Sequence, residues 1–180
     1  MAQRYPQLSQ DHIQFIWKQN MFFVATAASD GHVNLSPKGL DSLRVIDPVT
    51  VAWLNVTGSG NETAAHLLEH PRMTLMFCAF DGKPLILRLY GEAKAVHPRD
   101  PEWEGLLAKF EDIPGSRQIF LLNIEFVQTS CGMAVPLYEY QGQRKQLTDW
   151  AEKSGKQGMR EYWEKRNQRS IDGKPTCILE

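Results

Sequence analysis

The sequence predicts a mainly β protein: an antiparallel barrel of six to seven strands with flanking helices. Apolar runs of strand length recur at hairpin-like spacing, and the Asp-Gly stretches "SDGH" and "DGKP" punctuate them. The helical stretches between them are short, without the regular strand–helix alternation that a parallel sheet requires.

Taken in order, Ser9 is placed to cap a short helix whose apolar face is Ile13, Ile16 and Trp17. "MFFVATAA" (21–28) reads as a buried strand, and "HVNLS" returns from the Asp-Gly turn as its hairpin partner, ended by Pro37. "LRVIDPVTVAWLNV" (43–56) holds one or two strands, with Pro48 as a break or an edge. "NETAAHLLEH" is helical, and "RMTLMFCAF" (72–80) is a strand. "LILRLYGEAKAV" (85–96) is a long strand that Gly91 bends or bulges. "DPEWEGLLAKF" forms a short helix with Pro101 in its first turn, and "RQIFLLNIEFVQTS" (117–130) is the last long strand. The barrel thus occupies about 20–136. Beyond it, 141–170 is rich in Lys and Arg, with Leu147, Trp150, Met159, Tyr162 and Trp163 as an apolar stripe and Gly155 and Gly158 dividing it into two helices.

The 180 residues fit one domain rather than two. A net charge of −1 gives no field to draw in nucleic acid or an anionic membrane, and no apolar run is long enough to cross a bilayer. "MAQRYPQLSQDH" lacks the apolar centre of a signal peptide, and three widely spaced cysteines without a CxxC pair fit a reducing compartment. The expected location is the cytoplasm. Cys131, in "TSCGMAVP", reads as a buried structural cysteine. Among the histidines only His66 and His70 have ligand-like spacing; without a third partner they read as exposed helix residues, and no metal site is expected.

Two polar turns remain. In "TGSGNETAAHLLEHPR", Ser59 and Glu62 have capping-box spacing, Gly58 and Gly60 allow a tight approach, and Asn61 and Thr63 add donors at a helix start, where free amides favour anions. In "NLSPKG", Asn34 and Ser36 share a strand face and Lys38 lies just beyond, its ammonium suited to phosphate. Taken singly, the first reads as a well-capped surface helix that binds nothing, and the second is not distinguished from a solvated lysine in a turn.

Taken together, "HVNLSPKG", "TGSGNETAAHLLEHPRMTLMF" and "LRLYGEAKAV" resemble the pyridoxamine 5′-phosphate oxidase-like family of split-barrel flavoproteins, from about Met21 to Val135. "CGMAVPLYEY" and "RSIDGKP" resemble the C-terminal part of one uncharacterised branch. The resemblance implies a six-stranded split barrel, a homodimer, and flavin mononucleotide (FMN) where the subunits meet. It implies that Ser36 and Lys38 face the FMN phosphate from one side and Asn61 and Thr63 from the other. Thr57 and Ser59 in the same turn, and Arg88 on its strand, complete the cofactor-binding set. No catalytic side chain is singled out.

Two departures bear on activity. The family's Ser-Arg-Lys triplet reads Asn61-Glu62-Thr63 here, with an acid for a base, and its C-terminal Arg-x-His is absent from "QRSIDGKPTCILE". The expected function is therefore a flavin-dependent oxidoreductase acting on an unknown small molecule, not synthesis of pyridoxal phosphate. The alternative is a protein that holds a flavin, a deazaflavin or haem without turnover.

Overall fold

The computed structural model describes residues 2–180. Its elements are β1 (Gln3–Tyr5), α1 (Gln10–Trp17), β2 (Phe22–Thr26), β3 (Asn34–Lys38), β4 (Leu43–Asp47), β5 (Thr50–Val56), α2 (Glu62–Glu69), β6 (Arg72–Cys78), β7 (Ile86–Val96), α3 (Trp103–Leu107), β8 (Ser116–Ser130) and α4 (Gln146–Arg166). The strands form one antiparallel sheet in the order β3-β2-β6-β7-β8-β5-β4, with β1 paired to the far end of β8. Edge strands β3 and β4 do not pair with each other, so this is a split barrel and not a closed one. β1 makes eight strands; three polar residues gave the sequence no apolar period by which to announce it.

Alternation along β5 organises the interior. Val51 and Trp53 enter a core shared with Val24, Leu75, Leu89, Phe120 and α1 residues Ile13 and Ile16. Ala52 and Leu54 point the other way, into a second cluster with Val96, Ile119 and Trp103 of α3. Side chains such as Leu54 and Leu89 are fully buried, each contributing roughly 1.5–3 kcal/mol relative to exposure. Ser9 caps α1 as expected: its hydroxyl accepts from the His12 N–H, and the His12 ring accepts from the Ser9 N–H. Gly91 marks a bulge where β7 slips register against β8; a Cβ there would collide with the Asn123 carbonyl.

Three expectations are corrected. Pro37 does not end its strand: β3 runs through it to Lys38, which pairs with Phe22, because an edge strand tolerates a missing N–H. Pro101 precedes the cap residue Glu102 and lies outside α3. In the C-terminal extension only Gly155 breaks the helix, with a left-handed φ of 62°, while Gly158 stays helical.

Candidate functional site

Because β3 continues through Pro37, Asn34, Ser36 and Lys38 all project from one face. Their backbone partners on β2 are Thr26, Val24 and Phe22, whose side chains enter the core, so this row turns inward at an open edge of the sheet. Opposite lies the loop from Gly58 to Gly60 and the first turn of α2. The Asn34 amide ties the two sides together, donating to the Thr26 and Thr63 hydroxyls at 3.2 Å each. Between them is a cleft of about 510 Å³ that reaches down to Trp53, Asn55 and Arg117.

Lys38 is half-buried, its ammonium 5.0 Å above the Trp53 ring. Burial, and then the nearby Arg117 guanidinium, lower its pKa to about 8. Arg117 is only 4% exposed, and burial pushes its pKa down to about 10, so it stays cationic at neutral pH. Its partners are neutral: it donates to Asn167 Oδ1 (2.8 Å) and the Gly60 carbonyl (2.7 Å), and to the Asn55 amide oxygen at 3.0 Å once that amide is turned over. Among the described residues neither cation pairs with a carboxylate. Glu62 lines the cleft, but its carboxylate accepts from the Ile171 N–H at 3.0 and 3.2 Å. Asn61 is 2% exposed in the cleft wall, and both of its amide atoms lack a partner. Buried polar groups are nearly always satisfied, so this amide has capacity for a partner that the chain itself does not supply, a water or a ligand.

The structure brings Ser36, Lys38, Ser59, Asn61 and Thr63 to this one cleft. Two residues lie elsewhere. The Thr57 hydroxyl is used by the scaffold, donating to the Gly115 carbonyl (2.7 Å) and accepting from Trp163 Nε1 (2.8 Å), and it faces an adjoining cleft of about 590 Å³. Arg88 sits on β7 with its guanidinium on the Ser130 hydroxyl, and does not line the cleft.

Other expectations are corrected as well. The Ser59–Glu62 capping box does not form, because the chain enters the helix only at Asn61 and the Glu62 carboxylate turns to the tail. The surface-helix and solvated-lysine readings of the two turns also give way: Lys38 faces inward, and Thr63 is 5% exposed. His66 is buried, its Nδ1 3.0 Å from the Thr26 hydroxyl, and Cys131 is exposed. Sequence reasoning missed Arg117 and Asn167. The available signal was a charge at the head of the apolar run "IFLL", a position whose depth depends on distant elements.

The comparisons agree with this architecture. A family model described as pyridoxamine 5′-phosphate oxidase matches residues 8–131. The pyridoxamine 5′-phosphate oxidase family protein ustO of Aspergillus flavus is 36% identical over 189 residues, spanning 95% of this chain and 76% of that protein. A histidine-to-alanine variant of HupZ from Group A Streptococcus superposes with a TM-score of 0.55 at 19% identity, covering 68% of this chain and 98% of that one. A putative pyridoxamine 5′-phosphate oxidase from Lactobacillus delbrueckii superposes at 0.53 with 22% identity, covering 68% and 94%. Fold, family model and curated relative converge, and the chain belongs to the pyridoxamine 5′-phosphate oxidase family.

Proposed function

We propose that the protein binds FMN and acts as a flavin-dependent oxidoreductase on a small molecule, as a homodimer. The observation that carries this reading is the Asn61 amide, buried without partners in a cleft whose Lys38 ammonium has no carboxylate. These residues fit a phosphate. The ammonium supplies charge, the free N–H groups at the start of α2 supply donors, and the Asn61 amide supplies one more. The adjoining cleft meets the first at Lys38, Trp53, Asn55, Val56 and Gly58 and is walled by Met21, Leu40, Val56 and Leu147. An apolar wall beside a phosphate cradle suits a ring system carried on a phosphorylated chain.

When bound, FMN supplies the redox chemistry. The protein's part is to anchor and shield: Lys38 and Asn61 fix the phosphate end, and Trp53 beneath Lys38 keeps water from the charge. The test is the absorbance of the freshly purified protein, mass identification of anything released on denaturation, and titration of the stripped protein. Charged hydrogen bonds contribute roughly 1.5–3 kcal/mol, so Lys38→Ala should weaken FMN binding about ten- to a hundredfold and leave riboflavin unaffected. Wild-type protein that neither carries nor takes up a flavin would reject the proposal. Bound FMN that no reductant can turn over would leave a holding protein in its place.

A further inference from the structure

We propose that Arg117, held by Asn167 at the end of α4, is a second anion-binding charge that makes the cleft selective for a phosphomonoester dianion. The inference rests on reading the cleft as a phosphate site, and goes beyond it by assigning a residue from the far strand and another from the C-terminal extension. A guanidinium buried among neutral acceptors leaves its charge uncompensated, a costly arrangement unless a counter-ion arrives. Lys38 faces the same cleft, close enough for Arg117 to disfavour its protonation. Two cations line the cleft, and its lining carboxylate, Glu62, is turned to the Ile171 N–H and pairs with neither, so both are left to face an anion of two charges. A terminal phosphate carries them above its second ionisation near pH 6, whereas a dinucleotide's bridging phosphates carry one each, every phosphorus being tied by one ester and by the shared anhydride oxygen.

Asn167 is a positioning residue. It is fully buried where α4 ends; its Oδ1 holds Arg117, its Nδ2 donates to the Gly58 carbonyl at 3.1 Å, and its own carbonyl accepts from Thr176. One side chain thereby sets the guanidinium and the glycine turn against each other. The region matched by the family model ends at residue 131, so Asn167 lies outside it.

The experiment compares FMN, FAD and riboflavin binding to the stripped full-length wild type, Arg117→Gln and Asn167→Asp. Asn167→Asp nearly preserves shape and brings a carboxylate onto Arg117, neutralising it. The expected result is FMN affinity reduced at least tenfold in both variants with riboflavin unchanged, and FAD at least tenfold weaker than FMN on the wild type. A merely structural role for Asn167 would not move the FMN-to-riboflavin ratio. An unchanged ratio in folded Asn167→Asp and Arg117→Gln, with Lys38→Ala still weakening FMN, overturns this inference and spares the FMN reading. If the wild type binds no flavin, the FMN reading fails and small probes decide. Methyl phosphate should raise the wild-type melting temperature, dimethyl phosphate should not, and equal responses overturn the inference. This last measurement needs no variant, so a failure of either variant to fold leaves the test intact.

Discussion

At neutral pH Lys38 carries a cost that an anionic ligand would relieve. In the folded protein its pKa is about 8 against an ordinary 10.5, because burial and Arg117 disfavour the charge. Below pH 8 both folded and unfolded chains hold the proton, and the folded state bears the full penalty. Between pH 8 and 10.5 the folded chain releases it while the unfolded chain keeps it, so stability from this group rises with pH. The shift corresponds to roughly 3 kcal/mol at 1.36 kcal/mol per unit, less for a half-exposed side chain. Lys38→Met should therefore stabilise the ligand-free protein by about 1–2 kcal/mol at pH 7, the gain fading by pH 10. Denaturant melts of both proteins across that range check it; a constant difference would mean that Lys38 is not desolvated. The lysine itself was legible in "NLSPKG". Its inward direction was not, because a proline read as a strand end conceals that the period of two continues on an edge strand. Arg117 was invisible for a deeper reason: only packing from α4 and the Gly60 loop puts it out of water.

At the scale of elements, most strands and helices were legible because periodicity and turn residues report local structure. The short polar β1 and the entry into α2 were not, since distant partners set both. The C-terminal tail accounts for the second. Ile171 takes the Glu62 carboxylate, Asp172 accepts from the His32 N–H at 2.9 Å, and Lys174 reaches Asp30 and Glu69 at 2.6 Å each. The acid that stands at the family's basic triplet is thus tied to a strap over α2. Oxidation of pyridoxamine 5′-phosphate should be absent or negligible; steady pyridoxal phosphate formation with FMN and oxygen would contradict this. The kink in α4 has a local cause. Gly155 combines φ 62° with ψ −178°, a region essentially reserved for glycine, and an added Cβ would meet no neighbour. Gly155→Ala should cost about 1–3 kcal/mol by backbone strain alone. Gly158→Ala, inside the helix, should be near neutral: helix propensity favours alanine by about 0.5–1 kcal/mol, offset by a tight approach to Ser154. Thermal melts separate the two, and equal effects would place the kink's origin elsewhere.

For the whole molecule, the outward face of the sheet carries the next step. Register places Phe23, Met76, Arg88 and Gln128 in one cross-strand row and Ala25, Thr74, Tyr90 and Phe126 in the next. All are half-buried, Tyr90 stacks on Phe126, and Arg4 lies 5.0 Å from the Phe126 ring. Val33 and Leu35 beside them are 74% and 64% exposed. An aromatic and aliphatic sheet face with few charges is the composition expected of a core between subunits. A homodimer built on this face would also give Arg88, which lines neither the Lys38 cleft nor the adjoining one in its own subunit, a place at the boundary. Light scattering at micromolar concentration should therefore return twice the chain mass. Phe126→Glu should shift it to the monomer, because a carboxylate placed in that row has no partner once desolvated. The monomeric variant should keep its far-UV circular dichroism, since the side chain points away from the barrel core. If Arg88 acts across the boundary, Arg88→Ala should leave the dimer mass intact yet weaken FMN, and Phe126→Glu should weaken it in step with dissociation. A wild type that remains monomeric would leave Arg88 a strand residue hydrogen-bonded to Ser130 and confine the cofactor site to one subunit.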